Sequence, residues 1–173
     1  MQIVIDTNVI IAILIKPGKV IDLFFNNRLE VFAPQLLFDE LENNEEYIIE
    51  KSKIDKEWFD LFYTIIKKNI SIIPEEEFLN FREKAEDICP DQKDIVYFAL
   101  ALYLQCGIWS NEKKLKKQEN IKIYSSDELM NLFEKIWFLG SFIKFGNNNF
   151  KMLKRGLLFL LVFIIFLEIG FAQ

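Results

Sequence analysis

The stretch that most constrains this chain is its opening, Gln2-Ile3-Val4-Ile5-Asp6-Thr7-Asn8-Val9-Ile10. An apolar run stops abruptly on an acid, two small polar residues follow, and apolar residues resume. Such a run reads as a buried strand ending at Asp6, with Thr7 or Asn8 capping the helix that follows. Asp6 then stands at the carboxyl end of a central strand, where open α/β sheets place their ligands. An acid in a strand–helix turn is also an ordinary cap. Its meaning depends on whether other acids reach the same edge.

The rest of the chain repeats the alternation. Apolar runs at residues 29–33, 70–73, 107–110 and 121–124 predict four more strands. Helical spacing predicts helices over 8–14, 20–27, 34–50, 55–69, 91–105, 112–118 and 127–136. Pro34 opens the long helix through Glu50, as proline suits a first helical turn. Short apolar strands alternating with helices imply an α/β class, a parallel sheet of about five strands covered on both faces. The crossovers should be right-handed. One domain over residues 1–139 accounts for this pattern, followed by a linker with a basic flank at 140–155 and an apolar tail at 156–173.

Composition narrows the chemistry. The 173 residues include no histidine, which removes every Ser-His-Asp, Cys-His and His-ligated zinc mechanism. Acid–base or metal chemistry must rest on carboxylates, lysines or tyrosines. Cys89 and Cys106 lack a metal-binding spacing and read as small apolar residues in a reducing compartment. The net charge of −5 argues against binding nucleic acid over the whole surface, though not against a basic rim around an acidic pocket. No leader precedes Met1, so the expected location is the cytoplasm.

Three more acids stand beside Asp6. Glu40 follows Leu36 by four residues and Leu37 by three, which puts it on or beside the apolar helix face. An acid there is costly unless paired or bound to a cation, or unless it snorkels to solvent. Asp39 and Glu42 should face solvent. Asp91 fits an N-cap, and Asp94 falls in the first turn of a nearly all-apolar helix whose base should meet the sheet's carboxyl edge. Glu112, in Ser110-Asn111-Glu112, repeats the logic of Asp6 after a later strand, or else opens a surface helix. Four carboxylates without histidine are ligands for hard cations. One or two Mg²⁺ or Mn²⁺ ions on Asp6, Glu40, Asp94 and Glu112 would bind a phosphodiester and activate water.

These four segments resemble the motifs of PIN-domain nucleases. Ile3-Val4-Ile5-Asp6-Thr7-Asn8-Val9-Ile10 is similar to the family's opening motif. Ala33-Pro34-Gln35-Leu36-Leu37-Phe38-Asp39-Glu40-Leu41 is similar to the second, with Glu40 in the glutamate position. Asp91-Gln92-Lys93-Asp94-Ile95-Val96-Tyr97-Phe98-Ala99-Leu100-Ala101 resembles the third, with Asp94 in the aspartate position. Trp109-Ser110-Asn111-Glu112-Lys113-Lys114-Leu115 resembles the fourth, where Glu112 stands in place of the usual aspartate. The resemblance covers roughly residues 2–132.

It implies a three-layer, Rossmann-like α/β/α domain and cleavage of RNA with Mg²⁺ or Mn²⁺. Asp6, Glu40 and Asp94 would hold metal and Glu112 would assist. Thr7 and Asn8, with Ser110 and Asn111, would orient the carboxylates from behind. Many relatives are toxins that dimerise and are blocked by an antitoxin protein, and a minority have lost activity. Lys113, Lys114, Lys116 and Lys117 after Glu112, and Lys16 near the first motif, are candidates for phosphate contacts or else solvated surface.

The tail carries eleven unbroken apolar residues, 157–167, behind Lys151, Lys154 and Arg155. It falls short of the roughly 20 that span a membrane comfortably. It reads as an anchor tethering the domain to the inner face of the membrane, as a signal-like segment, or as a helix packed in a dimer. The expected function is a metal-dependent endoribonuclease, possible as a toxin. The other reading is a catalytically silent PIN-like protein-binding module. A phosphatase-like hydrolase lacks a nucleophile motif or a Gly-rich phosphate loop.

Overall fold

A computed structural model describes the backbone of residues 1–143 and the side chains of residues 1–134. In chain order the elements are β1 (Gln2–Ile5), α1 (Thr7–Ile15), α2 (Lys19–Phe24), β2 (Glu30–Pro34), α3 (Leu36–Asn43), α4 (Glu45–Ser52) and α5 (Lys56–Asn69). There follow β3 (Ile70–Ile73), α6 (Glu75–Phe78), α7 (Arg82–Ile88), α8 (Ile95–Leu104), β4 (Gly107–Trp109), β5 (Ile123–Tyr124) and α9 (Ser126–Ile143). Short 3-10 turns cover Leu79–Phe81, Gln92–Asp94 and Lys113–Lys117. Of the linker expected over 140–155, residues 140–143 continue α9, and residues 144–155 and the apolar tail lie outside the described residues. Among the described residues no helix is long and apolar enough to cross a membrane.

The five strands form one parallel sheet in the order β3-β2-β1-β4-β5. This is the expected α/β class, with every strand where an apolar run predicts one. β1 is central, and its residues Ile3, Val4 and Ile5 are fully buried. Val4 joins the core beneath α8, which also packs on β2 and β4. Strand side chains alternate, so Ile3 and Ile5 point to the opposite face, and both faces are covered.

The order has one reversal. The chain leaves β1 for β2 and β3 on one side, then crosses back to lay β4 on the other. Between β1 and β4 lies the switch point, outside whose carboxyl ends open α/β sheets bind ligands. The register pairs Ile5 with Trp109, and the ladder runs one residue past both strands. Asp6 N–H donates to the Trp109 carbonyl at 3.0 Å, and Ser110 N–H donates to the Tyr124 carbonyl at 3.0 Å. Asp6 and Ser110 are thereby fixed side by side.

Several local expectations differ from the structure. Asp6 itself, not Thr7 or Asn8, is the N-cap of α1, its carboxylate accepting from Asn8 N–H. Pro34 closes β2 instead of opening a helix, pairing in register with Ile73. The single helix expected over 34–50 is broken at Asn44, whose side-chain amide donates to the Glu40 carbonyl at 2.7 Å. A side chain that satisfies an orphan carbonyl ends a helix. The short lysine-rich helix after Glu112 is a 3-10 helix, Lys113–Lys117, anchored by buried Leu115. α9 opens with Ser125 and Glu128 bonding reciprocally to each other's backbone N–H groups, a capping box one residue earlier than expected. Residues 75–88, for which no element was expected, supply α6 and α7 beneath α8.

Candidate active site

Asp6 is 3% exposed and fully engaged. Its Oδ1 accepts from Asn8 N–H at 2.9 Å and its Oδ2 from the Ser110 hydroxyl at 2.6 Å. Ser110, itself fully buried, accepts in turn from Glu112 N–H at 3.1 Å. One hydroxyl thus links the ends of β1 and β4 to the start of the next turn. Burial pushes the Asp6 carboxyl above its usual value, the two hydrogen bonds oppose that, and the nearby Glu112 and Glu40 charges add to it.

Asp94 caps α8 from the other side of this edge and is 8% exposed. Its Oδ2 is buried and has no hydrogen-bond partner. Burial, then the charges of Asp6 and Glu112, push its carboxyl up to about 7, with Lys114 opposing. Buried polar atoms almost always find partners, so an orphaned carboxylate oxygen calls for an explanation.

Glu112 is half-buried. Its Oε1 accepts from the Asn8 side-chain amide at 2.9 Å and its Oε2 from the Lys114 ammonium at 2.8 Å. Glu40, on α3, reaches the same region through a tyrosine. Tyr97 Oη donates to Glu40 Oε2 at 2.7 Å and lies 2.5 Å from Thr7 Oγ1. Tyr97 has one proton and gives it to the acceptor-only carboxylate, so the Thr7 hydroxyl must be the donor to Tyr97. Burial of Tyr97 and the Glu40 charge push its phenol well above the ordinary range, which keeps that proton in place.

Asp6 thus lies near Glu112 and Glu40, and Asp94 near Asp6 and Glu112, around the carboxyl edge of the sheet, and all four acids fall inside a family match. The model of the PIN domain family matches residues 4–128, more than half of the chain. This chain is a PIN domain protein. No curated protein matches it. PIN domains are generally nucleases, hydrolases with a nucleic-acid substrate, and they typically use divalent metals.

The PIN domain sorts the remaining expected residues differently. Thr7 serves Glu40 through Tyr97, whereas Asn8 and Ser110 contact Asp6 directly. Asn111 is exposed at the rim, and its side chain accepts from Ser126 N–H at 2.9 Å, tying α9 to the end of β4. Trp109 Nε1 donates to the Ser126 hydroxyl at 3.0 Å, reinforcing the same junction. Lys16 lies past the far end of α1, about 13 Å of helix rise from the site. Lys113 and Lys117 are exposed, and Lys116 pairs with Glu128. Lys114 is exposed as well, but it is paired. Its ammonium contacts Asp91 as well as Glu112, and lies 4.0 Å from Asp94 Oδ2.

Tyr97 is the residue that sequence reasoning missed. Its signal was three residues beyond Asp94, one helical turn on, inside an apolar run that hides a hydroxyl. Cys89 and Cys106 are half-buried thiols pushed up by burial to about 11, so neither is a thiolate at neutral pH.

A divalent cation fits the residues present. Every side-chain donor is a carboxylate oxygen, the choice of hard cations, and Asp94 Oδ2 is buried without a partner. Among the described residues no three of these acids are already drawn together as a coordination group. Tyr97 holds Glu40, while Asn8 and Lys114 hold Glu112. The orphaned oxygen carries more weight than that spread. A glutamate re-rotates at small cost, whereas a buried unpartnered carboxylate is expensive.

Proposed function

We propose that this PIN domain is a metal-dependent endoribonuclease that hydrolyses RNA phosphodiester bonds with Mg²⁺ or Mn²⁺. The observation that carries the reading is the buried, unpartnered Asp94 Oδ2 beside Asp6 and Glu112. Asp6 and Asp94 would hold the ion, and Glu40 and Glu112 would complete the set. The chemistry such an ion supplies is activation of water and stabilisation of charge on a phosphodiester.

The chain's own residues do the rest. Ser110 Oγ and Asn8 N–H fix both oxygens of Asp6, so this carboxylate is rigid before anything binds. Tyr97 and Thr7 orient Glu40 through a two-step relay of hydroxyls. Asp94, with its carboxyl at about 7, loses its proton where a positive charge arrives. Lys113 and Lys117, both exposed in the turn after Glu112, would meet backbone phosphates of a strand crossing the edge.

The test is cleavage of a mixed RNA pool by the full chain in Mg²⁺, Mn²⁺ or EDTA, beside Asp6→Asn and Asp94→Asn. Cleavage that needs metal and vanishes in both variants supports the reading. Folded but inert wild-type protein, with or without metal, overturns it. A role as the toxin of a toxin–antitoxin pair adds one expectation: expression arrests growth, and Asp6→Asn relieves the arrest.

A second reading, a catalytically silent protein-binding module, draws on one feature. Lys114 already contacts Glu112 and Asp91, and that arrangement offsets part of the pocket's negative charge without metal. Metal-independent stability together with inert RNA would favour it.

A further inference from the structure

Lys114 is positioned by its neighbours in sequence. Leu115 is buried, and it anchors the 3-10 turn Lys113–Lys117 against the core. Of the lysines in that turn, Lys116 leans away to Glu128 on α9. Lys114 leans inward. Its ammonium hydrogen-bonds Asp91 Oδ2, lies 2.8 Å from Glu112 Oε2, and stands 4.0 Å from the unpartnered Asp94 Oδ2. Asp91 is itself fixed, because its other oxygen accepts from Lys93 N–H at 2.9 Å.

Three carboxylates from two segments thus surround one ammonium, whose side chain remains 42% exposed. A lysine cation is a mobile point charge on a long stem, and it moves more readily than a buried aspartate. At 4.0 Å from Asp94 Oδ2 it attracts that oxygen without satisfying it. Glu112, by contrast, is fully committed between Asn8 and Lys114.

We propose that Lys114 is a built-in counter-ion that competes with the divalent cation for Asp94 and Glu112. With no metal bound it offsets the mutual repulsion of the acids. Metal entry drives the ammonium off Glu112 and back towards Asp91 at the rim, where it adds positive charge for a phosphate. Metal affinity is therefore set lower than the four acids alone would give, and Glu112 joins the ion only after Lys114 leaves. The inference rests on the metal-binding reading above.

The experiment is calorimetric titration of the full chain with MnCl₂, at fixed pH and ionic strength, for wild type, Lys114→Met, Lys114→Arg and Asp94→Asn. Melting curves with and without MnCl₂ accompany each. Removing one positive charge about 4 Å from a ligand should tighten Mn²⁺ binding by about fivefold or more in Lys114→Met. Its metal-free form should melt below wild type and gain more from Mn²⁺ than wild type does. Lys114→Arg should keep wild-type affinity. Mn²⁺ binding seen only in Lys114→Met would also support the proposal. Equal affinity in wild type and Lys114→Met, with binding lost in Asp94→Asn, overturns the counter-ion role and leaves the metal reading intact. Tightening in Lys114→Arg as large as in Lys114→Met also overturns it, since charge would not be the cause. No Mn²⁺ binding by any variant overturns both.

Discussion

The Ser110 hydroxyl donates to Asp6 Oδ2 at 2.6 Å, across the gap between the ends of β4 and β1. The two residues are 104 positions apart in the chain, and both are buried. The same hydroxyl accepts from Glu112 N–H, so it positions the acid of one strand and the turn after another.

Ser110→Ala should therefore do more than remove a surface contact. A hydrogen bond to a charged, buried acceptor is worth about 1.5–3 kcal/mol, and its loss should appear as a lower urea midpoint. The Asp6 carboxyl, already raised by burial, should rise further. On the proposed ribonuclease reading, cleavage by the variant should need a higher pH to reach half its plateau, and a pH–rate profile checks this.

Asp94 makes a prediction with the opposite sign to most aspartates. Its carboxyl sits at about 7 in the folded protein against an ordinary 3.8, so the native state binds the proton more tightly. The metal-free protein should have this contribution in full below about pH 4 and lose it as pH rises through 7. Asp94→Asn removes the loss and should stabilise the metal-free fold at pH 8, by at most about 4 kcal/mol. Denaturant melts at pH 4, 6 and 8 on both proteins measure it. Equal pH slopes would contradict the raised carboxyl.

Tyr97→Phe keeps the ring and deletes the oxygen shared by Thr7 and Glu40. Both partners then lose their hydrogen bond inside a mostly buried region. Stability should fall by about 1–3 kcal/mol and, if Glu40 holds metal as proposed, cleavage by about 10- to 100-fold. A Tm series and single-turnover rates would separate the two effects.

Gly107 opens β4 where no side chain fits. A Cβ there would lie 2.7 Å from the Lys122 carbonyl oxygen and 2.7 Å from the Tyr124 ring. The carbonyl is backbone and cannot rotate away. Gly107→Ala should cost about 1–3 kcal/mol by forcing β5 outward. Because Ser110 is hung from Tyr124, activity should fall with it.

Much of this was legible in the sequence, for physical reasons. Five short, largely apolar runs, each ended by polar residues or a proline, leave little choice but buried parallel strands. Ile70–Ile73 reads off directly, and Gly107–Trp109 differs by one residue. The acids at strand and helix ends were legible because strand length and helix period fix where they arrive. What stayed hidden depended on side chains meeting across the chain. Asn44 breaks a helical pattern with one amide bond that no periodicity records. Tyr97 looks like one more apolar residue in α8, and its partners are 57 and 90 positions away. Lys114 reads as one of four surface lysines until Leu115 fixes which way it turns.

The reversal of strand order at β1 also sets when the site comes into being. A growing chain makes β1, β2, β3 and α8 first, and with them Asp6, Glu40 and Asp94. The strand that carries Ser110 must then insert beside β1, at the opposite side from everything made since. Ser110 and Tyr124 lock only when β5 has followed. Pairings of such long sequence separation form late. A nascent or truncated product ending before residue 107 would hold three of the acids yet leave Asp6 without its Ser110 bond, so the finished site arrives only with the final stretch of the domain, from residue 107 on.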